Sequence, residues 1–119
     1  FESLKIDNFS VLPGSENKLL KGLQLGCDGI ITATCNITAT LARKVYDDFI
    51  QNKNQSANEK LCKVRTIFDG YNLISAIHSL MTQTDKSYSN ILPPLSILNN
   101  KDHQKLIEDL KKIDFNYKN

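Results

Sequence analysis

The sequence predicts an α/β fold in which two parallel strands precede a run of helices. The first observation is an alternating, β-rich run, "NFSVLP", that breaks at Pro13 and Gly14. The second is "DGIITAT", residues 28–34, a short β-branched run typical of strands covered on both faces. Between them "SENKLLKGLQLG" has helical leucine spacing. Strand, short helix and strand make a βαβ unit, which places its strands parallel with a right-handed connection.

The short helix between the two strands has recognisable ends. Ser15 is a good N-cap, and Glu16 is favourable near the positive end of the helix. Gly26 supplies a C-terminal stop. The apolar stripe of this helix consists of Leu19, Leu20 and Leu23.

From Asn36 onward the pattern is helical, and Thr38 or Thr40 can cap the next helix. Its apolar face consists of Leu41, Val45, Tyr46, Phe49 and Ile50. Two further stripes, separated near Gly70, precede "ILPPLSIL", which is extended because proline disfavours helix in the preceding residue. A last amphipathic helix buries Leu106, Ile107, Leu110 and Ile113. We divide the chain into residues 1–52, which hold the two βα units, and 53–119, a helical domain.

Composition excludes several classes of protein. The 119 residues carry a net charge of +2, and the lysines are scattered among acids, so no nucleic-acid partner is expected. No run approaches the roughly 20 apolar residues of a membrane span. The N-terminal "FESLKIDNFS" lacks an apolar core, so we expect no signal peptide and a cytoplasmic protein.

The three cysteines show neither a CxxC pair nor a histidine at metal-ligand spacing. We therefore expect no metal site, and we expect Cys27, Cys35 and Cys62 to be small buried side chains in a reducing compartment.

Three stretches in order resemble the C-terminal part of the dihydrodipicolinate synthase/N-acetylneuraminate lyase family. They are "PGSE", then "LGCDGIITATCNI" with "VYDDF" after it, then "ILPPLSIL" before the final helix. The family consists of class I pyruvate-dependent aldolases built on a (β/α)8 TIM barrel. The resemblance implies that residues 9–13 and 29–34 are the last two parallel strands of the barrel, followed by a C-terminal helical subdomain.

The resemblance also implies a chemistry that this chain cannot perform alone. In the family, a lysine in a Lys-Asp-Ser-(Ser/Thr)-Gly stretch condenses with the keto group of pyruvate, and the resulting enamine attacks an aldehyde. No lysine here matches: Lys5 precedes the first strand, and Lys18 and Lys21 lie on the connecting helix. The family's proton-relay tyrosine is absent too. The chain is therefore expected to be an inactive fragment of an enzyme that needs no metal or cofactor.

Five residues match substrate-binding positions of the family. Gly14 corresponds to the glycine whose backbone lines the pyruvate pocket, and Ile31 to the aliphatic residue packed against the Schiff base, with Thr32 beside it. Ser15 and Glu16 fall where some members contact the distal part of a longer substrate. From the residues alone, Gly14 is equally a turn glycine and Ile31 a core isoleucine.

The departures from the family affect the substrate assignment. Ala33 replaces a serine of the sialic-acid lyases, so dihydrodipicolinate synthase-like chemistry ranks ahead of N-acetylneuraminate lyase and keto-deoxy-sugar acid aldolase. Leu92 replaces an arginine before the double proline. His78 replaces a lysine and is expected to be a hydrogen-bonded packing residue.

Two other functions remain open from the sequence. One is a self-standing, non-catalytic helical module that binds a partner protein, and the other is a small anion binder at the helix start of Ser15. For the aldolase, the implied partners are pyruvate, an aldehyde and further copies of the chain. These copies form either the family's tetramer or a dimer through the open strand edges.

Overall fold

The computed structural model of the chain describes residues 6–118, and every regular element within them is helical. The described residues form five α-helices: α1 (Leu19–Gln24), α2 (Cys35–Ile50), α3 (Asn58–Asp69), α4 (Leu73–Met81) and α5 (Asn100–Lys112). The same residues form two 3₁₀ turns, Glu16–Lys18 before α1 and Lys86–Ser89 after α4. The predicted α/β class, with its two closing strands of a TIM barrel, is therefore wrong for the residues that the structure describes.

The two predicted strands, 9–13 and 29–34, are irregular extended stretches that lie side by side. The Asp28 N–H donates to the Val11 carbonyl at 3.1 Å, and the Ile31 N–H donates to the Pro13 carbonyl at 3.2 Å. The advance of two residues from Val11 to Pro13 therefore faces an advance of three residues from Asp28 to Ile31. This mismatch breaks the regular register of a parallel ladder. Pro13 also has no N–H with which to continue a ladder. Since no further strand flanks the pair within residues 6–118, two stretches alone do not make a stable sheet.

The chain divides into two compact units, Phe1–Cys62 and Lys63–Asn119. In the first unit α1 packs against α2. The core of this unit consists of Leu19, Leu23, Ala42, Val45, Ala57 and Leu61. Leu41, Tyr46 and Phe49 of the predicted α2 face pack against that core, whereas Ile50 is exposed. Helix α2 begins at Cys35, so neither Thr38 nor Thr40 is its cap, contrary to the prediction.

The end of α1 confirms the predicted role of Gly26. Its φ is +99°, in the left-handed region that favours glycine. The Gly26 N–H donates to the Leu23 carbonyl at 3.1 Å, and the Cys27 N–H donates to the Gly22 carbonyl at 2.8 Å. These two bonds form a Schellman motif, which satisfies the last carbonyls of the helix and turns the chain back toward residue 28.

The second unit contains α4 and α5 in contact, together with the end of α3. Its fully or nearly fully buried apolar side chains are Val64, Phe68, Ala76, Leu80, Leu106 and Leu110. Asn72 and Asn99 cap α4 and α5 by accepting hydrogen bonds from the Ser75 and Asp102 N–H groups. Residues 91–99 contain no helix, as predicted for the double-proline segment.

His78 and Ser79 of α4 hold the two loops that follow it. His78 Nδ1 donates to the Tyr88 carbonyl at 2.9 Å, and the two rings meet edge to face, which confirms the predicted packing role. Ser79 is buried, and its hydroxyl accepts from the Leu98 N–H at 2.8 Å.

All three cysteines are thiols rather than members of a disulfide bond. Cys27 is buried, as predicted, whereas Cys35 and Cys62 are only half-buried. Among residues 6–118 there is also no helix with the length and hydropathy needed to cross a membrane.

Candidate functional site

Two predicted site segments meet at Gly14 and Ile31. The Ile31 N–H donates to the Pro13 carbonyl at 3.2 Å. A Cβ built on Gly14 would lie 3.9 Å from the Ile31 carbonyl oxygen, an ordinary van der Waals distance. The turn after residue 13 and the stretch that leads into α2 are therefore neighbours, although 16 residues lie between Gly14 and Ile31 along the chain.

Packing of α1 fixes the Gly14 turn. A Cβ at Gly22 would lie 3.4 Å from both the Pro13 ring and the Cys27 side chain. Gly22 thus lets α1 approach Pro13 closely, and the Schellman motif brings Cys27 to the same point. Gly14 itself is exposed and does not have a left-handed φ, so the fold of this chain does not require glycine there.

The carboxylate of Glu16 is the most buried polar group of the site. Glu16 is 0% exposed. Its Oε1 accepts hydrogen bonds from the hydroxyls of Thr32 at 2.7 Å, of Thr38 at 3.0 Å and of Thr34. Burial of a carboxylate is costly unless donors replace water, and these hydroxyls are such donors. The Glu16–threonine cluster, formed by these four residues, joins the first 3₁₀ turn to the start of α2.

Thr32 has a second role at the start of α2. Its hydroxyl accepts from the Cys35 N–H at 3.0 Å, so it satisfies one of the free N–H groups of the helix. Thr34 is fully buried and directs its hydroxyl to Glu16. Thr38 lies one turn along the helix, and its hydroxyl also lies 3.0 Å from the Thr34 carbonyl.

The remaining predicted residues are all more exposed than Glu16. Ile31 is 71% exposed, which does not fit a core isoleucine. Ser15 is half-buried and occupies the N-cap position of the 3₁₀ turn, as predicted, but its side chain makes no capping hydrogen bond. A buried carboxylate in the next residue also makes this turn a poor place for a small anion.

Sequence reasoning missed Thr34 and Thr38. The available signal was the spacing of four residues between them, which places both on one face of a helix that begins at Cys35. A single acidic residue before an apolar helix and a threonine-rich stretch, "TATCNIT", are together consistent with a buried carboxylate that needs hydroxyl donors.

The sequence profile of the Dihydrodipicolinate synthetase family matches residues 2–113 of the chain, nearly its whole length. The chain belongs to this family. The predicted resemblance is thus confirmed, and the lineage is that of pyruvate-dependent lyases. A comparison with curated proteins finds no match.

Three lysines of this dihydrodipicolinate synthetase family member lie near the predicted site in the sequence: Lys5, Lys18 and Lys21. Lys18 and Lys21 are exposed on the first 3₁₀ turn and α1, and Lys5 lies outside the described residues. Within residues 6–118, no three histidine, cysteine or acidic side chains lie close enough together to hold a metal ion.

The negative charge of Glu16 also acts on a cysteine of α3. Burial raises the pKa of the Cys62 thiol, and the negative charge of Glu16 raises it further. Because the thiolate is the reactive form of cysteine, both effects lower the reactivity of Cys62.

Proposed function

We propose that this family member supplies part of the substrate pocket of a Schiff-base-forming, pyruvate-dependent aldolase. The observation that carries the proposal is the pairing of Gly14 with Ile31, two positions that match the family's pocket. In the proposed pocket the Gly14 backbone and the Ile31 side chain contact pyruvate, while Ser15 and Thr32 lie toward the aldehyde. Glu16 lies behind them.

Among the family's reactions, a dihydrodipicolinate synthase-like condensation is the first candidate. N-acetylneuraminate lyase and keto-deoxy-sugar acid aldolase chemistry follow. Ala33 supports this order, because an alanine cannot offer the hydroxyl that sialic-acid lyases tend to carry at the matching position. Ala33 is exposed beside Thr32, where an added hydroxyl could meet a ligand. The turnover of the aldehyde substrates of these three reactions by the complete gene product tests this ranking.

The 119-residue chain alone is proposed to be inactive, because none of its lysines stands in the family's Schiff-base stretch. Pyruvate is added with borohydride, which reduces any imine to a stable amine, and adducts are located by mass spectrometry. The complete gene product should carry one adduct on a lysine outside these 119 residues, and the 119-residue chain should carry none. An adduct on Lys18 or Lys21 would refute this assignment.

Further copies of the chain are the proposed macromolecular partner. Phe9, Leu12 and Ile31 are exposed on the paired extended stretches, and this apolar surface favours association. We expect either a tetramer of the complete enzyme or a dimer of the 119-residue chain paired through these edges. Light scattering on the wild type and on Ile31→Lys tests the dimer; a monomeric wild type would exclude it.

A cytoplasmic location is also part of the proposal. Three cysteines that form no disulfide bond are typical of a reducing compartment. Cell fractionation of the tagged protein tests it, and recovery from an oxidising compartment would contradict it.

A non-catalytic helical module that binds a partner protein is the second candidate function. It is favoured by the helical character of every regular element in residues 6–118 and by the two compact units. A self-sufficient module should unfold cooperatively as a monomer. Calorimetry of the 119-residue chain tests this, because noncooperative melting or self-association would exclude the module.

A further inference from the structure

We propose that Glu16 is a positioning residue, whose buried carboxylate sets the place of the Thr32 hydroxyl and of the Gly14–Ile31 pair rather than touching substrate. The inference rests on the function proposed above. Glu16 is 0% exposed, so its carboxylate presents no surface to a ligand. Gly14 and Ile31 are both exposed.

The connection to the pocket is short and direct. Glu16 follows Gly14 by two residues, and Thr32 follows Ile31 by one. The 2.7 Å hydrogen bond between Glu16 and Thr32 therefore closes a small ring. The ring is completed by the bond from the Ile31 N–H to the Pro13 carbonyl, which joins the same two segments a second time. Loss of the carboxylate frees both segments at the point where pyruvate would bind.

The hydrogen bonds of Thr32 also define what it can offer a substrate. A hydroxyl carries one proton and two acceptor lone pairs. The proton is donated to Glu16, and one lone pair accepts from the Cys35 N–H. The Thr34 hydroxyl lies 3.3 Å from that of Thr32 but donates its own proton to Glu16, so the second lone pair of Thr32 stays open. Thr32 can therefore accept a hydrogen bond from a substrate but cannot donate one, which suits a hydroxyl or amine of the aldehyde better than a carboxylate.

Amide hydrogen exchange in the 119-residue chain tests the positioning role without any substrate. Glu16→Ala should accelerate exchange of the Ile31 and Cys35 amides roughly tenfold or more. The Lys53 amide, which donates to the Asp48 carbonyl beyond the other end of α2, should change less than about twofold. Glu16→Gln keeps an acceptor oxygen and should stay near the wild type. Unchanged exchange at Ile31 and Cys35, or equal acceleration at all three amides, would overturn the proposal.

A second pair of variants covers the case in which Glu16→Ala does not fold. Thr38→Val removes one hydroxyl donor while conserving side-chain shape. Thr40→Val makes the same change at an exposed position of the same helix. Thr38→Val should accelerate exchange at Ile31 and Cys35, and Thr40→Val should not. Equal exchange in the two variants would overturn the proposal.

Kinetics of the complete gene product separate positioning from direct contact. A positioning role predicts a pyruvate KM near that of the wild type for Glu16→Gln and a raised KM for Glu16→Ala, with a smaller change in kcat. Equal impairment of both variants would mark Glu16 as a substrate contact and overturn the proposal. Absence of a pyruvate adduct in the wild type would refute the proposed function, whereas the exchange result depends only on the cluster.

Discussion

The Lys44 ammonium lies 2.6 Å from Oδ1 of Asp48, one turn further along α2, and pairs with a residue that is 1% exposed. The other oxygen of Asp48 accepts from the Ser56 hydroxyl at 3.0 Å and from the Ser56 N–H at 3.3 Å. The Lys44 hydrogen bond lowers the pKa of Asp48, and this effect with those of Ser56 outweighs the burial that raises it. Asp48 thus fixes the end of α2 to the segment before α3.

Asp48→Asn should destabilise the chain at neutral pH and make little difference in acid. Because the folded-state pKa lies below the unfolded value of about 3.9, the ionised carboxylate stabilises the fold above that pH. This contribution is lost as pH falls through the folded-state pKa. Thermal melts across pH should show the difference in Tm fully at pH 7 and shrinking below about pH 4. A difference that widens in acid would contradict this.

The neighbouring residue supplies the control. Asp47 pairs with Arg43 at the same spacing, but that arginine side chain is largely exposed. Since exposed pairs contribute little, Asp47→Asn should leave the Tm almost unchanged at every pH.

Gly26→Ala should lower the free energy of unfolding by roughly 1–2 kcal/mol, because an alanine side chain is strained at positive φ. Nothing lies within 4 Å of a Cβ built on Gly26, so the effect isolates backbone conformation from packing. Urea denaturation measures it. An unchanged urea midpoint would mean that the turn after α1 does not keep its left-handed residue.

Gly14→Ala should leave stability within about 0.5 kcal/mol of the wild type, because the added Cβ has room and φ is not left-handed. In the complete gene product, however, the methyl group should weaken pyruvate binding by roughly tenfold or more, equivalent to about 1.4 kcal/mol. Urea denaturation and pyruvate titration together test this. Normal pyruvate affinity would remove Gly14 from the proposed pocket.

Leu61→Ala should destabilise the first unit by about 2–5 kcal/mol, the range for truncation of a fully buried leucine. Leu61 is completely buried among side chains of α1 and α2. The exposed Ile50 supplies the control, since Ile50→Ala removes an apolar side chain that α2 does not bury. Denaturation followed by circular dichroism distinguishes the two variants, and equal losses would contradict the assignment of the core.

The helices could be predicted because each depends on a local pattern. Apolar spacing marked α2 to α5, and Gly26 marked the end of α1. The strands could not be judged in the same way, because β-branched residues indicate a strand only where neighbouring strands complete a sheet. The missing N–H of Pro13 and the unequal steps between Val11–Pro13 and Asp28–Ile31 break the ladder.

Part of the site was equally predictable. Gly14 and Ile31 were assigned to the ends of two predicted parallel strands. Those strands do not form within residues 6–118, but the two residues are neighbours. The Glu16–threonine cluster was not predicted, because its hydrogen bonds span 16 to 22 residues and depend on where α2 begins. If the helix began at Thr38 or Thr40, Thr34 would lie outside it. The face shared by Thr34 and Thr38 exists only because α2 begins at Cys35.

The distribution of thiols gives the chain a built-in chemical probe. All three cysteines lie in the unit Phe1–Cys62, and residues 63–119 contain none. Cys27 is enclosed beside Gly22 and Pro13, whereas Cys35 and Cys62 are partly accessible. The rate of maleimide alkylation of Cys27 therefore measures opening of the first unit alone. The measurement needs neither a substitution nor an attached label.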